Sequence, residues 1–393
     1  MKHNFRIIIG MLLFAIPLCM NAQVKPVKPK QEPKKVQVEK TEAEKLEKER
    51  AKKEEKEKKE KGRNPFNSDM LKFSGFVQGM YQANLSDEGE LTSNTFRMRR
   101  VRLSAEGTLY KGLTYKIQGD FSRSPMLVDA FVKYKVADAF AIQLGQFKTP
   151  FSLESPINPV NLEIFDYGEG IQKLVGYSDV CGVGGLGRDI GLMATGKLFP
   201  VKGEEGIKYH VVDYAIGVFN GNGPTTTDNN NRKDLVGRLE VHPGLKDVTL
   251  SGSYYYGNYF KDEVNNGTRN RWAAGAQYND GKLVLRGEYI SGQTGKDNFG
   301  LDVPNYYTSN GYYAVAGYNF ALGKEKKQTL MPVLRYEHFT ADQAVANGGT
   351  NWYTVGINYW PIKSLNFKLD YSLIQKESGS NSHRVVGILS YKF

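Results

Sequence analysis

From Met70 onward the chain runs in segments of about ten residues in which apolar and polar side chains alternate. In one segment Leu113, Tyr115, Ile117, Gly119 and Phe121 share a parity, while Thr114, Lys116, Gln118 and Asp120 take the other. In another, Leu365, Phe367, Leu369, Tyr371 and Leu373 oppose Asn366, Lys368, Asp370 and Ser372. Successive side chains of a strand point to opposite faces, so this period predicts strands with one apolar and one polar face. The first half gives strands near 71–82, 95–109, 112–122, 127–136, 139–147, 189–198, 208–219 and 233–242. The second half gives 247–258, 270–279, 282–292, 311–322, 328–340, 351–360, 364–376 and 384–393.

A soluble sandwich can alternate in the same way, and the connections decide between the two. Short turns such as Tyr110-Lys111-Gly112, Asn279-Asp280-Gly281 and Pro361-Ile362-Lys363-Ser364 alternate with mostly longer polar loops, among them Asp87–Asn94, Asn220–Arg232 and Thr294–Asn310. That pattern predicts an all-β fold: a transmembrane antiparallel up-and-down β-barrel of about 16 strands. Trp272 and Tyr278 bracket Ala274 and Ala276, and Tyr353 and Tyr359 bracket Val355 and Ile357, as aromatic belts bracket an apolar band. The last strand places Tyr391 and Phe393 on one face, like the terminal aromatic signal read by barrel-assembly machinery. Closure requires this strand to pair with the first.

With the apolar parity facing outer-membrane lipid, the opposite parity is expected to line a pore. It carries Arg100 and Arg102, Lys116 and Asp120, Asp129 and Lys133. Three further strands repeat an arginine and a glutamate two apart, Arg238 with Glu240, Arg286 with Glu288 and Arg335 with Glu337, which neighbouring strands could pair crosswise. Such a wall is either a salt-bridged stiffener or a guide for anions. The longest insertion, Lys148 to Arg188, contains Phe151, Leu153, Ile164, Phe165 and Tyr167. That amphipathic content predicts a loop folded into the barrel mouth as a constriction, the alternative being an external surface loop. Its charged residues are Lys148, Lys173 and Arg188 against Glu154, Glu163, Asp166, Glu169 and Asp179.

Composition fits this picture. Mean hydropathy is −0.48, too polar for a bundle of membrane helices, while 42 glycines, 24 tyrosines and 20 phenylalanines suit strands apolar on one face. Residues 1–22 read as a secretory signal peptide: Lys2 and Arg6 precede an apolar run from Ile7 to Leu18. Residues 23–69 form a charged Lys/Glu/Pro-rich segment, disordered or partly helical, on the periplasmic side. Its 24–62 stretch is either a solvated linker or a tether to cell-wall polymer. It holds 15 Lys/Arg against 10 Asp/Glu, so the formal charge of +11 is concentrated outside the barrel region, 70–393, which is nearly balanced. No concentrated basic patch or recognisable module points to nucleic acid. Cys181 is the single cysteine after the signal, so no internal disulfide forms. The five histidines are scattered without a catalytic constellation, and nothing implies an enzyme, a cofactor or a metal.

The runs FRMRRVRLSAEGTLYKGLTYKIQGDFS, LVDAFVKYKV, IQLGQFKTPFSLE and RDIGLMATGKL resemble the phosphate-selective porin O and P family in its Bacteroidetes branch. The resemblance covers about residues 70–393 and is most specific in GQFKTPFSLE. It implies a sixteen-strand barrel with the third loop folded inward, commonly a homotrimer, in the outer membrane of a Gram-negative bacterium. It further implies phosphate selection by lumen arginines and a constriction of arginine and lysine, here flanked by Lys148 and Arg188. The expected function is passive diffusion of small hydrophilic solutes, anions such as phosphate among them. The rival is a structural or adhesive barrel without significant conductance.

Overall fold

The computed structural model describes residues 67–203, 206–262, 266–296, 305–323 and 325–393. The expected signal peptide and all but the last residues of the charged segment lie outside the described residues.

Sixteen barrel strands follow one another: β1 Leu71–Ser86, β2 Leu91–Tyr110, β3 Leu113–Asp120, β4 Leu127–Ala137, β5 Phe140–Lys148, β6 Arg188–Gly203, β7 Gly206–Phe219 and β8 Asp234–Val241. The rest are β9 Val248–Phe260, β10 Asn266–Asn279, β11 Leu283–Lys296, β12 Asn305–Tyr318, β13 Gln328–Thr340, β14 Gly349–Ile362, β15 Leu365–Lys376 and β16 Ser382–Lys392. A three-residue piece, Phe320–Leu322, continues β12 past Asn319 and, like β12, pairs antiparallel with β13. Each strand is antiparallel to its neighbours, and β16 pairs with β1 from Ser382↔Ser86 to Lys392↔Phe76. The sheet is therefore a closed barrel with no free edge.

Burial along the strands is inverted relative to a soluble protein. On β15, Asn366, Lys368, Asp370 and Ser372 are buried, whereas Phe367, Leu369 and Tyr371 are exposed, Leu369 by 53% against 4% for Lys368. An exposed apolar belt of this kind is unfavourable in water and favourable only against lipid hydrocarbon. Trp272 and Tyr353 belong to the same outer belt.

Several strands reach further than the alternation suggested, at the long-loop end in β1, β2 and β11 and at the short-turn end in β6, which runs to Gly203, whereas β3 stops at Asp120. Asp87–Glu90 alone separates β1 from β2, and β11 runs to Lys296. Above the apolar band both faces are polar, so the alternation fades while backbone hydrogen bonding continues. The short turn between β10 and β11 follows the sequence closely. At Asp280 the carboxylate accepts from the N–H of Lys282 (2.8 Å) and Leu283 (2.7 Å), and Gly281 takes φ +87°, a conformation that favours glycine.

In the middle of β2 the regular ladder is interrupted. Pairing with β1 runs Gln78↔Arg100 and then Gly79↔Met98, leaving Arg99 as an extra residue in a β-bulge. The bulge lets Arg99 and Arg100 both engage the carboxylate of Asp166, although neighbours on a regular strand face opposite sides.

Candidate functional site

The segment 149–187 connects β5 to β6, and its base is the antiparallel pair Lys148↔Arg188. It contains a single turn of 3-10 helix, Pro159–Asn161, and one short helix, α1, Glu169–Leu174. Phe151, Leu162, Ile164, Ile171 and Leu174 form one buried cluster with Tyr255 of β9, Ile290 of β11, Val315 of β12 and Phe339 of β13.

Polar groups of the strands fix this irregular backbone. Glu288 on β11 accepts from Ser152 Oγ (3.0 Å) and from the N–H of Leu153 (2.7 Å) and Glu154 (3.2 Å). Asp370 on β15 accepts from the N–H of Phe165 at 2.7 Å, and Glu337 on β13 from that of Glu169 at 2.8 Å. Lys368 donates to the carbonyls of Leu162 (2.6 Å) and Ile164 (2.9 Å). A long coil can be buried only where its backbone groups find partners, and these strand side chains supply them. Ser152 itself takes φ +75°, a strained position for a non-glycine residue, held by Glu288 and by Ser253, whose Oγ accepts the Ser152 N–H at 3.0 Å.

The acidic residues of the segment are neutralised in place. Glu154 is completely buried, with Arg335 Nη1 2.5 Å from Oε1 and Nη2 3.1 Å from Oε2, and Arg286 at 3.4 Å. Glu163 takes the other side of the Arg286 guanidinium, Nη1 to Oε1 at 3.1 Å. Asp179 faces Arg271, Nη2 to Oδ1 at 2.7 Å, and Asp166 faces Arg99 and Arg100. Burial alone would raise the pKa of Glu154, but Arg335 and then Arg286 outweigh it and hold the carboxyl below the usual glutamate range.

Across from this clamp lies a cavity of about 470 Å³, between the segment and the wall of β2–β6. Six arginines line it, Arg97, Arg99, Arg100, Arg102, Arg123 and Arg188, with two carboxylates, Asp120 and Asp166. Arg102 Nε sits 3.0 Å from Asp120 Oδ2, and Arg188 Nε 2.6 Å from Asp129 Oδ1. Among the described residues Arg97 and Arg123 make no ion pair. A smaller cavity of about 290 Å³, toward the short-turn end, sets Lys133, Lys135, Lys197 and Arg238 against Asp138, Asp213 and Glu240. Guanidinium groups therefore line the upper cavity and mainly ammonium groups the lower. Low-dielectric walls around such charges focus their field along the passage.

The residues singled out in the sequence divide between two places. Arg100, Arg102, Asp120 and Arg188 line the upper cavity, and Lys133, Arg238 and Glu240 the lower. Lys116 lies half-buried beside Glu106 in the pairing of β3 with β2. Arg286, Glu288, Arg335 and Glu337 instead grip the segment 149–187. Among the described residues they form no crosswise pairs between neighbouring strands; Arg238 and Arg335 each pair within their own strand, with Glu240 at 3.1 Å and Glu337 at 2.8 Å. Lys148 is half-buried, donating to the Ile157 carbonyl (3.0 Å) and Tyr167 Oη (2.9 Å), so it pins the segment's base. Phe151 packs edge-on to Tyr255 at 5.8 Å, and Lys173 pairs with Glu169 at 3.7 Å, away from the cavity. Sequence reading missed Arg97, Arg99 and Arg123. The signal for the first two was RMRR itself, because three arginines in four positions cannot all be kept from lipid by strict alternation.

A closed sixteen-strand barrel, apolar outside and charged within, with one long segment clamped to its inner parity, is the architecture of an outer-membrane porin. The profile of the family described as phosphate-selective porin O and P matches residues 71–387, and the chain belongs to that family. It is thus a porin of the Gram-negative outer membrane, through which small solutes diffuse passively. No curated protein matches it in sequence. Among solved structures it is similar to the anion-selective porin from Comamonas acidovorans, at 14% identity and TM-score 0.60, over 82% of this chain and 99% of that one. It is similar also to Salmonella typhi OmpF in complex with daunomycin (15%, TM-score 0.58, 82% and 97%) and to the trimer form of Vibrio cholerae OmpT (11%, TM-score 0.53, 83% and 100%).

Proposed function

We propose that this porin selects small anions, inorganic phosphate among them, along a passage between the segment 149–187 and the wall of β2–β6. In this reading the segment lies across the barrel interior and forms the constriction, and Arg100, Arg102 and Arg188 line it. The observation that carries the proposal is the separation of charge. Glu154, Glu163 and Asp179 are bound to arginines of the opposite wall, while the six arginines around the upper cavity face only two carboxylates in its lining, Asp120 and Asp166. An oxyanion entering there meets planar donors suited to bidentate hydrogen bonds, then lysines that attract it as point charges. Conduction needs binding strong enough to enter and weak enough to leave, and graded sites of this kind supply both.

The family's name and the anion-selective Comamonas porin support the same direction. The trimeric OmpT neighbour supports a homotrimer, and the terminal aromatics Tyr391 and Phe393 are read as the signal for the assembly machinery. The test is chloride current through single channels in a planar bilayer, titrated with phosphate. Phosphate should reduce the wild-type current, and Arg102→Gln with Arg188→Gln should raise the half-inhibiting concentration about tenfold or more. Indifference of the wild-type current to phosphate would remove the phosphate assignment.

A further inference from the structure

The carboxylate of Asp166 stands where a permeating oxyanion would bind. Arg99 Nη2 contacts Oδ2, Arg100 Nη2 lies 3.0 Å from Oδ1, and the N–H of Tyr167 donates to Oδ1 at 3.0 Å. The site opens onto the upper cavity, where Arg102, Arg123 and Arg188 supply further positive charge. The residues on either side of Asp166 are anchored: Phe165 through its N–H to Asp370, and Tyr167 through its side-chain hydroxyl to the Ile157 carbonyl and Lys148. The main chain is thereby held, and rotation about the side-chain bonds of Asp166 is the movement that takes its carboxylate off the arginines. The double arginine exists because of the bulge at Arg99, which brings two consecutive guanidinium groups to one carboxylate.

We infer that Asp166 is a tethered competitor: it occupies the Arg99–Arg100 site in the empty channel, yields it to an incoming oxyanion, and displaces that anion again. This rests on the anion-passing reading above and assigns its residence-time control to one side chain. Without the tethered carboxylate the same arginines would hold a phosphate or sulfate longer. Entry would become easier and departure slower, so affinity would rise while the maximal flux fell.

The experiment compares wild type, Asp166→Asn and Asp166→Glu as folded porins in planar bilayers, with chloride current titrated by inorganic phosphate. In D166N the half-inhibiting phosphate concentration should fall about tenfold, the scale of one lost charge-assisted pair, while D166E stays near wild type. Should D166N not assemble, Asp166→Ser carries the same expectation. A D166N value within about twofold of wild type overturns the inference, a change well under that scale. So does D166E matching D166N, since the residue would then act through shape and loop position rather than charge. A cation-preferring wild type would overturn the anion reading together with this one, whereas an anion-preferring wild type with unaltered D166N overturns this one alone.

Discussion

Glu154 shows how much a single side chain holds in this barrel. Completely buried, it ties Arg335 on β13 and Arg286 on β11 to the segment 149–187, and it accepts the N–H of Gly168 at 2.9 Å. Removing one partner of a buried pair leaves an uncompensated charge, with a cost of about 3–5 kcal/mol. Arg335→Met should therefore release the segment, seen as protease cleavage within 149–187 in folded protein that the wild type resists. Gly168→Ala should act in the same direction, because a Cβ there would lie 2.2 Å from Arg335 Nη2 and 2.7 Å from Glu337 Oε2. The pH dependence comes from the depressed pKa of Glu154. A group titrating lower in the folded state stabilises it above the ordinary carboxylate range and loses that contribution as pH falls through the folded value. The segment should stay protected through the ordinary carboxylate range and become cleavable only once the pH falls below it. At this scale the sequence was legible for charge and parity and silent on partners. Arg286 and Arg335 read as inner-face residues, but nothing in the strand pattern indicated that Glu154 and Glu163, more than a hundred positions away, would reach them.

Among the elements, β2 and the closing strand are the most exacting. The bulge at Arg99 reconciles three arginines with a lipid-facing surface, where a cationic side chain at the bilayer midplane costs about 2–4 kcal/mol. Deleting Arg99 should straighten β2 while leaving Phe96, Arg97 and Met98 paired with Tyr81, Met80 and Gly79, so their faces are kept and only the second arginine on Asp166 is lost. The deletion is expected to retain the heat-modifiable folded band on a gel, as is Arg99→Ala, and loss of that band in the deletion alone would contradict this register. At the closure, Phe393 exchanges backbone hydrogen bonds of 3.0 Å with Gly75, and a Cβ on Gly75 would lie 2.7 Å from the Phe393 ring and 2.4 Å from the Arg102 carbonyl. Gly75→Val should lower the yield of folded barrel. Strand existence and order were legible because alternation is a local signal. The bulge, the break at Asn319 and the polar strand ends were not, because backbone pairing continues where the hydrophobic pattern lapses or slips.

For the whole molecule the decisive property is where charge sits rather than how much there is. The near balance of the barrel region concealed two walls of different character: a clamp from β8 to β15 in which acids and arginines are matched, and a wall from β2 to β6 in which arginines are in excess. Composition cannot reveal that separation, since it depends on which acids of one long segment meet which strands. It makes the central claim measurable in one way above others: the zero-current potential of the purified porin in a planar bilayer under a potassium chloride gradient. The charge separation predicts a potential of the sign set by chloride, retained in Glu240→Gln and diminished when Arg100, Arg102 and Arg188 are replaced together by Gln. A potential of the sign set by potassium in the wild-type porin would contradict it.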